Sequence, residues 1–453
     1  MKRQKKSEID RLSDLPDHLL LHIMQFMIAK HCVQTCVLSK RWKNLWKCLT
    51  NIKLFDPYNG VIFDEFVSQF LSCRDNSVPL HNISYKNNVR RNYEIPPKTT
   101  NILVEIMEYA ASHNVQQLEI KAKTDHIRNL ELPPSIFNCD SLTSLTLFLR
   151  GVSKSTTKMF PKSLNLPALK TLTLVQFTFF TSSDNGYAEP FSTCNMLNKL
   201  VIFACKLQDD AQGLCISNSK LSNLAIGTMN RRSNIHKVIL CTPKLKSLTI
   251  IGIPPIFPAP STCSLTNLLE ELKFDCMYGS TMGEDILISW LHLIAKVNIM
   301  TLSYKILKLM VNILKNNSSM RAQLPSFVKL KSLKVEAYPW KCDDRIREMV
   351  SYLLQNSPPP ATFDIVTVVK CEATVMKYAL AFVLSNGFER VIFEDDCQQV
   401  VNVLCNDYLY VNELDTLLST CSFLFNSNDN YNIVYVMRQV NMVAQNLARA
   451  SLF

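Results

Sequence analysis

The sequence predicts an α/β protein in three consecutive parts: three short helices, a stack of strand-bearing repeats, and a smaller α/β segment at the end. Three observations predict it. Apolar residues fall at helical spacing through the first fifty positions. A Leu-x-x-Leu-x-apolar phrase then recurs along the middle of the chain at a nearly constant step. After Pro358-Pro-Pro360 the phrase stops and a different alternation of helix and strand patterns begins.

Composition removes several function classes. Nine glycines in 453 residues leave almost nothing for phosphate-cradling loops, and neither GxGxxG nor GxxxxGK[ST] is present. Sixteen cysteines include no CxxC pair, the pattern of reduced thiols rather than of a disulfide scaffold. The opening Met1-Lys-Arg-Gln-Lys-Lys6 leads into polar residues, so no secretory signal is expected, and the longest apolar runs are too short to span a membrane. The expected compartment is nucleus and/or cytoplasm. The net charge of +11 sits in the first fifty residues and the middle, whereas residues 371–453 hold four Lys/Arg against nine Asp/Glu.

Leu15-Pro16-Asp17 reads as a helix start, with proline where no intrahelical donor is needed. Leu19, Leu20, Ile23, Met24 and Met27 follow on one helix. A second helix is expected over roughly 31–38, and a third near Lys40 offers Trp42, Leu45 and Trp46. Three such helices cannot bury all that apolar surface among themselves, so a partner is its natural cover. His18 and His22, like Cys32 and Cys36, stand four apart. Leu19 and Leu21 flank the histidine spacing where zinc-protease chemistry would need a Glu, so surface histidines and packing thiols are the reading, with no metal and no cofactor expected.

The block from Asp10 to Phe55, with Arg11-Leu-Ser-Asp-Leu-Pro-Asp-His and Val37-Leu-Ser-Lys-Arg-Trp-Lys-Asn-Leu-Trp46, resembles the F-box of plant F-box proteins. The resemblance implies a docking helix set at 8–55 that binds a Skp-type adaptor and, through it, a cullin. Carried over by position, the adaptor-binding residues are Leu15, Pro16, Leu19, Leu20 and Ile23, with Leu38 and Trp42 in support.

The repeat phrase stands at Leu142/Leu145/Leu147, Leu169/Leu172/Leu174, Leu197/Leu200/Ile202, Leu221/Leu224/Ile226, Leu245/Leu248/Ile250, Leu269/Leu272/Phe274 and Leu330/Leu333/Val335. Weaker copies are Val115/Leu118/Ile120 and Ile299/Leu302/Tyr304. The central residues step by 27, 27, 28, 24, 24, 24, 30 and 31 positions, at and slightly above the leucine-rich-repeat range. Each unit supplies a short strand with leucines inward, and stacked neighbours complete the core as a solenoid with a curved parallel sheet. Thr143, Thr146, Thr171, Thr173 and Lys246 are expected on the concave face, the default binding surface. The chain thus resembles plant F-box/leucine-rich-repeat proteins, with the solenoid expected over 100–357 and closed by a strand at 329–338 and a helix at 343–358.

Residues 361–453 read differently. Cys371-Glu372-Ala373, a helix to Asn386-Gly387-Phe388, a strand over 390–394, Asp395-Asp396-Cys397 and Arg438 to Arg449 resemble the second half of plant reverse-transcriptase-like RNase H domains. That chemistry needs about four carboxylates around two metal ions. Glu372 and Asp396 match two of them by position, Gln445 replaces a third, and Asp364 is the only candidate for the first. The segment is therefore expected to be a vestigial, partial domain in which residues 363–370 stand in for a lost central strand. Nucleic acid is not an expected partner of so acidic a segment. The function implied is a non-catalytic substrate receptor of an SCF-type ubiquitin ligase, whose repeats bind a target protein. The alternative is an RNase H-like nucleic-acid binder or hybrid nuclease.

Overall fold

The computed structural model describes residues 15–56, 61–87, 99–123, 131–150, 158–181, 186–208, 210–228, 235, 237–257, 269–275, 284–316, 325–336, 344–355, 357, 362–366, 376, 380, 391–395 and 431–435. The chain divides into two compact units, 1–297 and 298–453. Among the described residues no helix is long and apolar enough to cross a membrane.

The first unit opens with α1 (Asp17–Met24) and α2 (Ala29–Gln34). Pro16 starts α1, and its carbonyl accepts from the N–H groups of Leu19 and Leu20. The chain continues past α2 as a 3₁₀ turn, Thr35–Val37, and the third expected helix is also 3₁₀, Trp42–Cys48. Three residues per turn align Trp42, Leu45 and Cys48 on one line, which suits a short segment that must bury Trp42 and Leu45 together. Trp46 packs its ring 5.0 Å from that of Phe70.

A parallel ladder follows. Its strands are β1 (Asn51–Asp56), β2 (Asn82–Asn87), β3 (Gln117–Lys123), β4 (Ser144–Arg150) and β5 (Thr171–Val175). Short strands β6 (Thr178–Phe179) and β7 (Tyr187–Ala188) precede β8 (Lys199–Phe203); β9 (Lys206–Leu207) and β10 (Gly213–Ser217) precede β11 (Asn223–Gly227). Then come β12 (Val238–Cys241), β13 (Ser247–Ile251) and β14 (Glu271–Asp275). The order β1-β2-β3-β4-β5-β8-β11-β13-β14 is parallel throughout and keeps the phrase in register, Leu145 against Leu172, Leu172 against Leu200, Leu224 against Leu248. One residue before the strands, the N–H groups of Thr143, Lys170, Asn198, Ser222, Lys246 and Glu270 each bond the carbonyl one repeat earlier. The small pairs β6-β9 and β7-β10-β12 form further parallel layers.

The core lies on one side of the ladder. The central residues of the phrase from Ile52 to Leu272 are all buried, each removal from water contributing about 1.5–3 kcal/mol. Phe160 extends this core, its ring lying 5.5–6.2 Å from those of Phe137, Phe177, Phe179 and Phe191. Helices α3 (Val61–Cys73) and α4 (Thr99–Ser112) connect the first three strands, so β1 and β2 carry a longer crossover than the later repeats. Both strands precede residue 100, where the solenoid was expected to start. Helix α5 (Glu284–Leu293) closes the unit, its Trp290 indole donating to the Pro255 carbonyl.

The second unit holds β15 (Ile299–Ser303), α6 (Tyr304–Asn316), β16 (Ser332–Glu336), α7 (Asp344–Leu354) and β17 (Thr362–Val366). β15 pairs with β16 and β16 with β17, all parallel. Here the expected frame is corrected: Met300 and Leu302, not Ile299 and Tyr304, occupy the buried register opposite Leu333 and Val335. Beyond residue 357, β17 adds to the edge of β16, and among the described residues it pairs with no strand of the segment behind it. β18 (Val391–Asp395) and β19 (Tyr431–Tyr435) pair with each other in parallel, which needs a long connection of the kind their sequence separation allows.

Candidate docking surface

Helix α1 has two faces. Leu20 and Met24, four apart, are fully buried, and Asp17 at its start complements the helix dipole. On the other side Leu19, Ile23 and Phe26 are exposed, 41%, 39% and 46% respectively. Val37 (88%) and Leu38 (56%) stand out from the turn after α2. These five are more than half of the large apolar side chains left exposed among the described residues. An apolar stripe of this kind on a short helix is stable in water only at a cost that a partner removes.

Buried contacts hold the stripe from beneath. The Cys32 thiol donates to the Met24 carbonyl, and burial pushes its pKa up to about 12, which leaves it an inert packing group. The thiol of Cys36 donates to the Lys43 carbonyl. Arg41 bonds Asp17 at 2.6–2.7 Å and ties the start of α1 to the 3₁₀ stretch; at this exposure the pair contributes at most about 1 kcal/mol. His22 sets its ring edge-on to Phe26.

Of the residues expected to touch an adaptor, Leu15, Pro16, Leu19, Ile23 and Leu38 reach the surface. Leu20 and Trp42 do not. Both are buried against the inner side of the same helices, beneath the stripe. Phe26 and Val37 belong to the exposed set and were not among the candidates, although Phe26 continues the spacing of Leu19 and Ile23 by three.

The outward face of the ladder is the second surface. Thr146, Thr171 and Thr173 lie on it as expected, half-buried, while Thr143 and Lys246 sit just before their strands. Thr143 donates its hydroxyl to the Gln116 carbonyl, and Lys246 pairs with Glu270 at 3.2 Å. On β3, burial alone would raise the pKa of Glu119. Hydrogen bonds from Lys121 and Ser84, with the charges of Lys86 and Lys121, outweigh that and hold it below the ordinary carboxylate value. Glu372, Asp396 and Gln445 of the C-terminal segment lie outside the described residues.

Three stretches match known families. Residues 12–53 match the F-box domain, residues 103–252 the leucine-rich repeats described for FBD-associated F-box protein At5g56370, and residues 364–451 a family described as reverse transcriptase-like. The chain resembles plant F-box/leucine-rich-repeat proteins. Relatives in Arabidopsis thaliana include F-box/LRR-repeat protein At1g55660, 28% identical over 54% of this chain and 65% of that protein. F-box/FBD/LRR-repeat protein At4g00315, described as putative, is 27% identical over 53% of each. F-box protein At1g60400 is 25% identical over 73% of this chain and 80% of that one. The matched region spans about half to two thirds of the first two relatives. The F-box match covers the whole exposed stripe, and the repeat match covers the ladder from α4 to β13. The reverse transcriptase-like match begins inside β17.

Proposed function

We propose that the chain is the substrate-recognition subunit of an SCF-type ubiquitin ligase. The observation that carries this reading is the exposed row of Leu19 and Ile23 on α1 with Phe26 in the turn after it, inside the stretch that matches the F-box domain. In this reading Leu15, Pro16, Leu19, Ile23 and Leu38 dock a Skp-type adaptor that binds a cullin, with Leu20 and Trp42 holding them in place. The repeats hold a target protein, and the chain contributes proximity: it raises the effective concentration of target lysines near a recruited conjugating enzyme. No residue of the chain does covalent chemistry. The assignment of compartment follows from the role and is nucleus and/or cytoplasm. The domain limits that go with it are 8–55 for the F-box and a repeat array that runs on through β17.

Co-purification with a Skp-type adaptor tests the reading. Wild-type chain retains the adaptor; Leu15→Ala/Pro16→Ala loses it, and so does Leu19→Ser/Ile23→Ser, with thermal stability unchanged for the second pair because both side chains are exposed. A folded wild-type chain that retains no adaptor sinks the proposal.

The reverse transcriptase-like match favours a second reading, a C-terminal segment with RNase H-like ancestry. We take that segment to be catalytically inactive, since Gln445 replaces a carboxylate by a neutral amide. Magnesium-dependent cleavage of an RNA–DNA hybrid by the purified chain, absent in Glu372→Gln, would overturn this.

A further inference from the structure

Outward side chains at the carboxyl ends of the strands fall in one register row. Going from β2 to β13 it contains Lys86, Lys121, Phe148, Val175, Phe203 and Ile251, with Gly227 between the last two. The other outward positions of the same strands are mostly polar, such as Ser144, Thr146, Thr171, Thr173, Ser247 and Thr249. The core is on the opposite face, so the core does not require an apolar row here. Phe148, Phe203 and Ile251 are half-buried, and Val175 is 4% exposed between the two phenylalanines. Gly227 has no Cβ, and the Phe203 ring occupies the space that one would need. The result is a shallow apolar strip across five neighbouring strands.

One end of the strip is cationic. Lys86 and Lys121 share the single carboxylate of Glu119. Lys53, one step up the face on β1, is half-buried, and burial followed by the charge of Lys86 lowers its pKa. Among the described residues its ammonium meets the Phe26 ring at 5.6 Å and no carboxylate. Two ammonium groups around one carboxylate, with a third on the neighbouring strand and an apolar strip beside them, form a surface complementary to a chain that is acidic at one end and apolar along the rest. Six strand steps from β2 to β13 cover about 29 Å, the length of about nine extended residues.

We propose that this row seats an extended segment of the target protein, of about nine residues, with carboxylates over Lys86 and Lys121 and bulky apolar side chains over Phe148 to Ile251. The inference rests on the reading of the repeats as target receptor and names the chemistry of that target. A phage-displayed library of random nine-residue peptides, panned on the purified full chain, tests it. The enriched peptides carry Asp/Glu at one end and Leu, Ile or Phe along the remainder, and Lys86→Glu/Lys121→Glu weakens them at least tenfold. A Phe148→Ser variant, checked for unchanged melting, weakens them likewise. No enrichment, enrichment of basic or uncharged peptides, or equal binding to the charge-reversed chain overturns the proposal, as does preferential competition by single-stranded RNA. Adaptor co-purification on the same preparation separates the two claims: adaptor lost with peptides bound defeats only the ligase reading, and the converse defeats only this one.

Discussion

The Arg74 guanidinium is 4% exposed and donates to the carbonyls of Leu49, Val78 and Pro79, at 2.8–3.2 Å. It fastens the end of α3 to the chain entering β1 and to the chain entering β2. Charged donors to otherwise unpaired carbonyls are the stronger kind of hydrogen bond, so Arg74→Met is expected to cost about 2–4 kcal/mol in a denaturant titration. Gly252 works through conformation instead. Its φ is +94°, and a Cβ there would stand 2.5 Å from the Thr228 carbonyl oxygen. Gly252→Ala is expected to lose about 2–3 kcal/mol. Ala204, at the matching turn with φ +52°, already bears the left-handed strain, so Ala204→Gly should be neutral or gain up to about 1 kcal/mol. Neither Arg74 nor Gly252 is legible in the sequence. An arginine reads as a surface charge until the carbonyls around it are known, and a lone glycine gives no φ.

At the scale of the element, spacing carried most of the information and failed where two frames fit equally well. Helix α1 was read from its apolar spacing, but spacing does not say which half of a doubly apolar helix faces the core; packing gives Leu20 and Met24 that side. In β15 the residues Ile299, Met300, Leu302 and Tyr304 satisfy two phases of the same phrase. The buried phase is Val297/Met300/Leu302, and Tyr304 instead opens α6. β1 and β2 carry the phrase as Leu49/Ile52/Leu54 and Leu80/Ile83/Tyr85, with isoleucine at the central place and longer steps made by α3 and α4. A search restricted to leucine at that position passes over both. The frame has a direct test. Met300→Ala is expected to cost about 2–5 kcal/mol, whereas Ile299→Ala, half-buried on the outward face, should cost less than about 1 kcal/mol. Equal losses in paired chemical denaturation would refute the assignment.

For the whole molecule, the informative stretch is the one around Pro358-Pro-Pro360. Helix α7 ends at Leu354, and the prolines that follow at 358–360 disfavour helical backbone at Ser357. Ending a helix is not ending an array, since each repeat needs a break between its helix and its next strand. β17 follows the break, with Phe363 against Leu333 and Ile365 against Val335, in the same parallel register as the strands before it. The reverse transcriptase-like match starts at residue 364, so β17 and the first matched residues of the C-terminal segment share the same stretch of chain. Two truncations that differ by the 13 residues 358–370 therefore should behave differently. A chain ending at residue 370 keeps β17 over the edge of β16. A chain ending at residue 357 leaves the N–H and C=O groups of β16 unpaired along an apolar strand, the arrangement that invites edge-to-edge association. The shorter chain is expected to melt several degrees lower and to elute as aggregate in size-exclusion chromatography, while the longer one stays monodisperse and retains whatever adaptor binding the full chain has. Identical melting and elution for the two would show that β17 is dispensable to the array, and would move the domain limit back to the prolines.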